Sequence, residues 1–164
     1  MKNTKDTMKV TLRPDWDEIE PLRLQAHDFF GSHRLSGDVI QSLVMVLGEL
    51  LENSVKYGCY KVSDSQIQIS INIGKKIITI EVTNPVDDSN LDDLKRLDRM
   101  IQWVRGYQDP FEAYIERLKE VAKRPLHDKE SGLGIVRVAY EGDVILDFFV
   151  SEDNLLTVSA VLTR

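Results

Sequence analysis

The stretch Leu47-Gly48-Glu49-Leu50-Leu51-Glu52-Asn53-Ser54-Val55-Lys56-Tyr57 limits the folds open to this chain more than any other. At about 100° per residue, Glu49, Asn53 and Lys56 fall within about 60° of one another on a helix. Ile40, Leu43, Leu47, Leu50, Leu51 and Val55 cover most of the remaining circumference. A helix so apolar is expected to lie against a sheet, carrying one narrow polar stripe. Two readings of the stripe stand side by side. A carboxylate and an amide one turn apart can hold a hydrated divalent cation, the Glu taking a proton from a water or hydroxyl and the Asn carbonyl binding the metal. Alternatively the stripe is a solvated face, with Glu52 and Lys56 as an ordinary i,i+4 ion pair.

Around that helix the sequence alternates between two periods. Met8 to Leu12 reads as a short strand that Pro14 confines to an edge, after a disordered tail over residues 1–7. Asp15 or Asp17 caps a helix running to about Phe30, with Ile19, Leu22, Leu24, Ala26 and Phe29 as its apolar side. Ser36 caps the long helix, Gly37 to Tyr57, which Gly58 closes. Ser65 to Ile73 and Lys76 to Thr83 alternate as strands joined at Gly74-Lys75, and Asn84-Pro85 ends the second. Leu91, Leu94, Leu97, Ile101 and Val104 recur at three and four. Pro110 then opens a second amphipathic segment with Phe111, Tyr114, Ile115, Leu118 and Val121 on one side. These two helices form an insertion over residues 90–124. Pro125 to Glu130 is a polar loop, and Ser131-Gly132-Leu133-Gly134 leads into a short helix, Ile135 to Tyr140. Strands at Asp143 to Val150 and Leu155 to Leu162 flank the turn Ser151 to Asn154. The expected fold is α+β, a two-layer α/β sandwich with a mostly antiparallel sheet and helices on one face.

A length of 164 residues suits a single domain over residues 1–164. Lys and Arg number 21 against 27 Asp and Glu, a formal charge of -6, and no stretch interleaves basic residues with aromatics, so nucleic acid is not an expected partner. No apolar run reaches the length of a membrane span, and Met1 to Lys9 is polar, so the expected location is the cytoplasm. Cys59 is the single cysteine and suits a small half-buried filler, while His27, His33 and His127 lack metal-ligand spacing.

Gly132 and Gly134 directly before a helix form a candidate phosphate cradle, because glycines let the backbone approach an anion and the first helical N–H groups point at it. A cation-holding helix together with a phosphate-holding helix start is what a nucleoside triphosphate site requires. In this arrangement the chain resembles the GHKL superfamily of ATP-binding domains, with the Bergerat-type sandwich. Glu49 to Tyr57 resembles the N box and Ser131 to Ile135 the second glycine box, in the family order. Length and the lack of attached modules make it most similar to the small anti-sigma-factor serine/threonine kinases of bacteria. The resemblance implies ATP and Mg2+ as cofactors, Glu49 as general base, and Asn53 as magnesium ligand. Lys56 would touch phosphate, and Gly132, Leu133 and Gly134 would hold the phosphate chain. It also implies a small antagonist-type regulatory protein and a sigma factor as partners, and a homodimer.

Two features depart from the family pattern. The first glycine box, an Asp followed by spaced glycines, should fall at Asn84, yet the chain reads Thr83-Asn84-Pro85-Val86-Asp87-Asp88. Asn84 can offer its amide oxygen to the exocyclic amine of adenine, but without charge. Asp87 and Asp88 either shift register to replace the missing Asp or cap the next helix. The insertion also exceeds the lid of such a kinase. Its aromatics Trp103, Tyr107, Phe111 and Tyr114 either pack it onto the domain or present a docking surface. A second functional reading follows: a domain that keeps the fold without ATP and serves as a protein-interaction module.

Overall fold

The computed structural model describes residues 6–62, 64–107, 109–123 and 133–164. Five strands form one antiparallel sheet: β1 (Thr7–Leu12), β2 (Ile67–Ile73), β3 (Ile77–Pro85), β4 (Ile145–Val150) and β5 (Leu155–Thr163), in the order β1-β2-β3-β5-β4. The helices are α1 (Ile19–Gly31), α2 (Gly37–Tyr57), α3 (Leu91–Arg105), α4 (Pro110–Ala122) and α5 (Leu133–Glu141). The fold is therefore an α+β two-layer sandwich. Among the described residues no helix is long and apolar enough to cross a membrane.

Strict alternation in the strands explains the layering. Ile67, Ile69, Ile71 and Ile73 of β2 are all buried, and the register aligns Ile69 with Val82 and Ile71 with Ile80, so one sheet face is a continuous aliphatic surface. The opposite face carries Lys9, Gln68, Glu81 and Ser159. Helix α2 closes the aliphatic face with Leu43, Val46, Leu47, Leu50 and Leu51, each at most 2% exposed. Ser36 caps it through the Val39 N–H.

Several boundaries differ from the sequence expectation, each for a local reason. β1 begins at Thr7, which pairs with Asn72. In α1 the buried residues are Ile19, Leu22, Ala26 and Phe30, at steps of three and four, whereas Leu24 lies on the far side at 62% exposure. β3 continues through Asn84-Pro85, because β2 stops pairing at Thr83 and β3 runs on along β5 alone, so proline's missing N–H forfeits no bond to β2. In α4 the sequence's apolar side is buried only in part: Ala113 and Arg117 are buried and Tyr114, like Trp103 and Tyr107, packs half-buried against Val104, Val136 and Ala139, while Phe111 and Leu118 are exposed. In α3, Ile101 and Val104 are buried but Leu91 is exposed. Ser131, Gly132 and the loop Pro125 to Glu130 lie outside the described residues.

The carboxyl end of α2 is tied to the β3–α3 connection. Asn90, 7% exposed, donates from Nδ2 to the Tyr57 carbonyl at 2.7 Å and accepts the Asp87 N–H at 2.9 Å. Asp87 caps the turn through Ser89 and also accepts from Cys59 Sγ and Lys61 Nζ, which holds its carboxyl well below the usual carboxylate range. It thus serves as a cap and not as a substitute for the missing Asp. Replacing Asn90 by Ala strips both bonds and leaves buried polar groups without partners. The expected loss is about 1–3 kcal/mol in urea unfolding, with an unchanged m-value.

Candidate functional site

The polar stripe of α2 is half-buried at Glu49 and Asn53 and exposed at Lys56. It forms one wall of a cavity of about 350 Å³ bounded by the ends of β3 and β5, by α3 and by the start of α5. This volume falls within the range of small-molecule sites. Leu94, Leu97, Met100, Leu156 and Val158 supply an apolar wall. Glu49, Glu52, Asn53, Lys56 and Asn84 supply the polar one, and Gly134 and Ile135 close it from α5.

Helix α5 lies close to α2: a Cβ at Gly134 would stand 2.7 Å from Glu49 Oε2, so the carboxylate would have to move aside. Glu49 Oε1 accepts from Arg137 Nη1 at 3.3 Å, and Arg137 Nε is held by Glu141 Oε2 at 2.8 Å. Gly134, Arg137 and Glu141 recur at three and four, so one face of α5 presents all three towards α2. Burial pushes the Glu49 carboxyl above its ordinary value, and the charge of Glu52 adds to this. The guanidinium groups of Arg137 and Arg23 pull the other way without prevailing. A carboxylate raised in this manner is a stronger proton acceptor than a solvated one.

Asn84 is 3% exposed and its Nδ2 donates to the Pro85 carbonyl at 3.1 Å, which leaves the amide oxygen as its remaining acceptor. Lys56 Nζ lies 5.0 Å from the centre of the Tyr57 ring, and Arg96 Cζ lies 5.2 Å from the same ring. Among the described residues no three His, Cys, Asp or Glu converge on a common point. A cation held by Asn53 would accordingly draw its other ligands from water and a bound anion, the usual habit of Mg2+ beside phosphates.

Of the residues singled out in the sequence, Glu49, Asn53, Lys56, Asn84 and Gly134 line this one cavity. Leu133 opens α5, and Gly132 lies outside the described residues. Sequence reasoning missed Arg137, Arg96, Arg117 and Trp16. The three-and-four spacing from Gly134 was a usable signal for Arg137. None existed for the others, which reach the cavity only through the packing of α3, α4 and the turn before α1.

The raised Glu49 pKa carries a stability consequence. In the unfolded chain the carboxyl titrates near about 4.3. The folded state holds its proton to higher pH, so stability falls as pH rises through that interval and the penalty persists above it. Glu49→Gln is expected to melt above the wild type at pH 8, with the advantage shrinking towards pH 4. Equal melting temperatures at pH 8 would show that the Arg137 pair offsets the burial.

No protein-family model matches the chain, and no curated protein matches it. Among solved structures it is similar to a chain in the crystal structure of the SiaB-SiaC complex from Pseudomonas aeruginosa, at 15% identity, with a TM-score of 0.69. The match covers 98% of this chain and 92% of that one. At such identity the likeness is one of fold, and it extends over nearly the whole sandwich, the α3–α4 insertion included.

Proposed function

We propose that the chain is a regulatory protein that binds Mg–ATP in the α2 cavity and transfers the terminal phosphate to a serine or threonine of a small partner protein. One observation carries this reading: Glu49 and Asn53 on α2 share one cavity with Gly134 at the start of α5, where a Cβ at Gly134 would stand 2.7 Å from Glu49 Oε2. The complex that names the similar structure contains two proteins, which supports a protein partner for this chain.

The residues present suit the group. The amide oxygen of Asn53 would bind the cation, and the N–H groups at the start of α5 would meet phosphate oxygens. Bound Mg–ATP would supply the electrophilic phosphorus, with ADP as the leaving group. The partner hydroxyl oxygen bonds to that phosphorus while the bridging P–O bond breaks, and Glu49 takes the hydroxyl proton. Arg137 orients Glu49 for that task. Asn84 would present its oxygen to the exocyclic amine of adenine.

A second reading rests on the same loop. Pro85 and Val86 stand where spaced glycines would let a base lie against the backbone, and this favours a sandwich that binds its partner without nucleotide.

Calorimetric titration with Mg2+ and the analogue AMP-PNP separates the two. Saturable binding that weakens at least about tenfold in Asn53→Ala supports the first reading. No binding by the wild type supports the second. Glu49→Gln is expected to keep analogue binding while ATP turnover to ADP falls by about 10²–10⁴-fold. Gly134→Ala pushes the flexible Glu49 carboxylate aside, so turnover drops with little change in melting temperature.

A further inference from the structure

Helix α2 carries a glycine where a helix is least served by one. Gly48 is buried in the middle of the helix, a position at which alanine ordinarily stabilises. The space its missing side chain leaves is taken by Arg23 of α1: a Cβ at Gly48 would stand 3.3 Å from both Cδ and Nε of that arginine, closer than ordinary contact. Arg23 thus meets α2 at the residue directly before Glu49, whose Cα follows that of Gly48 by about 3.8 Å.

The surroundings of Arg23 leave one of its donors unused. Ile19, Leu22, Ala26 and Phe30 are buried on the same helix and fix where α1 lies. Arg23 Nη1 pairs with Glu20 Oε2 at 3.2 Å, on the solvent side. Its Nε is buried and donates to no acceptor among the described residues. A buried N–H without an acceptor is costly, and packing alone gives no reason to keep one.

Glu49 is the charge on which this guanidinium acts. Burial and the charge of Glu52 push the Glu49 carboxyl up, and Arg23, after Arg137, opposes them. The two arginines act by different routes. Arg137 comes from α5 and donates to Glu49 at 3.3 Å, whereas Arg23 comes from α1 and acts at longer range. Arg23 also stands outside the cavity wall.

We propose that Arg23 is a positioning residue for phosphoryl transfer: seated over Gly48, it holds the Glu49 carboxylate on the cavity side of α2 as the partner hydroxyl arrives. Gly48 is kept bare to seat it. This deepens the reading of Glu49 as general base and rests on it.

The test is ATP turnover to ADP by the full chain, measured beside AMP-PNP affinity by calorimetry. Turnover in Arg23→Met is expected to fall by about 10–100-fold, the scale of a misplaced reacting group, with AMP-PNP affinity unchanged. Arg23→Lys should recover part of the loss. Added to Glu49→Gln, Arg23→Met should cost no further turnover, which an arginine that only supports the fold would not show. Gly48→Ala displaces the Arg23 stem, so turnover should drop several-fold while the chain melts no lower than the wild type. It decides the matter if Arg23→Met does not fold, and full turnover in it then overturns the proposal. Wild-type turnover in Arg23→Met overturns the proposal and leaves the nucleotide reading standing. Equal losses of turnover and AMP-PNP affinity, or full additivity with Glu49→Gln, do the same. A wild type that neither binds AMP-PNP nor turns over ATP overturns the nucleotide reading and the proposal with it.

Discussion

The burial of α2 is the constraint on which the rest depends. With Leu43, Val46, Leu47, Leu50 and Leu51 sealed against the sheet and α1, the helix has one permitted rotation. Turning it by a single residue, about 100°, would drive Glu49 into the core and lift a leucine out, at a cost of several kcal/mol. The directions of Glu49, Asn53 and Lys56 are therefore set by apolar residues that never touch the cavity. Precision at a site made of three polar side chains is inherited from packing on the opposite side of the helix.

The cavity has one wall that is tied down and one that rests on close contact. At the carboxyl end of α2, Tyr60 Oη donates to the Ser54 carbonyl, Asn90 to the Tyr57 carbonyl, and the Cys59 N–H to the Pro85 carbonyl. These bonds join helix, strand and connection at one corner. Helix α5 is held differently. Its two flanking glycines let it lie directly on α2, since a Cβ at Gly142 would stand 2.5 Å from Val46 Cγ2 just as one at Gly134 would meet Glu49. Two contacts of this kind bracket the short helix and leave Arg137 between them to reach Glu49. Helix α5 is thus attached by side chains and close approach and not by strand pairing.

The architecture was largely legible in the residues because its two periods are clean. The isoleucines of β2 alternate without interruption, Ile78, Ile80 and Val82 continue the pattern in β3, and the apolar residues of α2 recur at three and four over about six turns. The association of Glu49 and Asn53 with Gly134 was legible only as a motif in order, and distance between them came from the fold. What stayed hidden has a common physical cause. Leu24 stands about 160–200° around α1 from Leu22 and Ala26, so only its apolar character and not its spacing assigns it to the inner side, which Phe30 completes instead. The inward side of α4 is set by Ala113, whose small size lets α5 come close, and Arg117 follows it one turn later. Periodicity places Tyr114 correctly against the buried cluster of Val104, Val136 and Ala139 but also counts Phe111 and Leu118, which lie at its exposed margin.

Asn84 shows how a departure from a pattern can be internally consistent. Its Nδ2 donates to the Pro85 carbonyl, the same carbonyl that accepts from Cys59. An aspartate in that place would set a carboxylate oxygen about where the amide nitrogen stands, 3.1 Å from a carbonyl oxygen, in a site only 3% open to solvent. Two acceptors facing each other without water between them are strongly unfavourable. Once β3 runs on through Pro85 beside β5, asparagine is the residue of this shape that satisfies the turn and still offers an acceptor to the cavity. The acceptor it offers is neutral. A base held there would gain a weaker bond than a carboxylate gives.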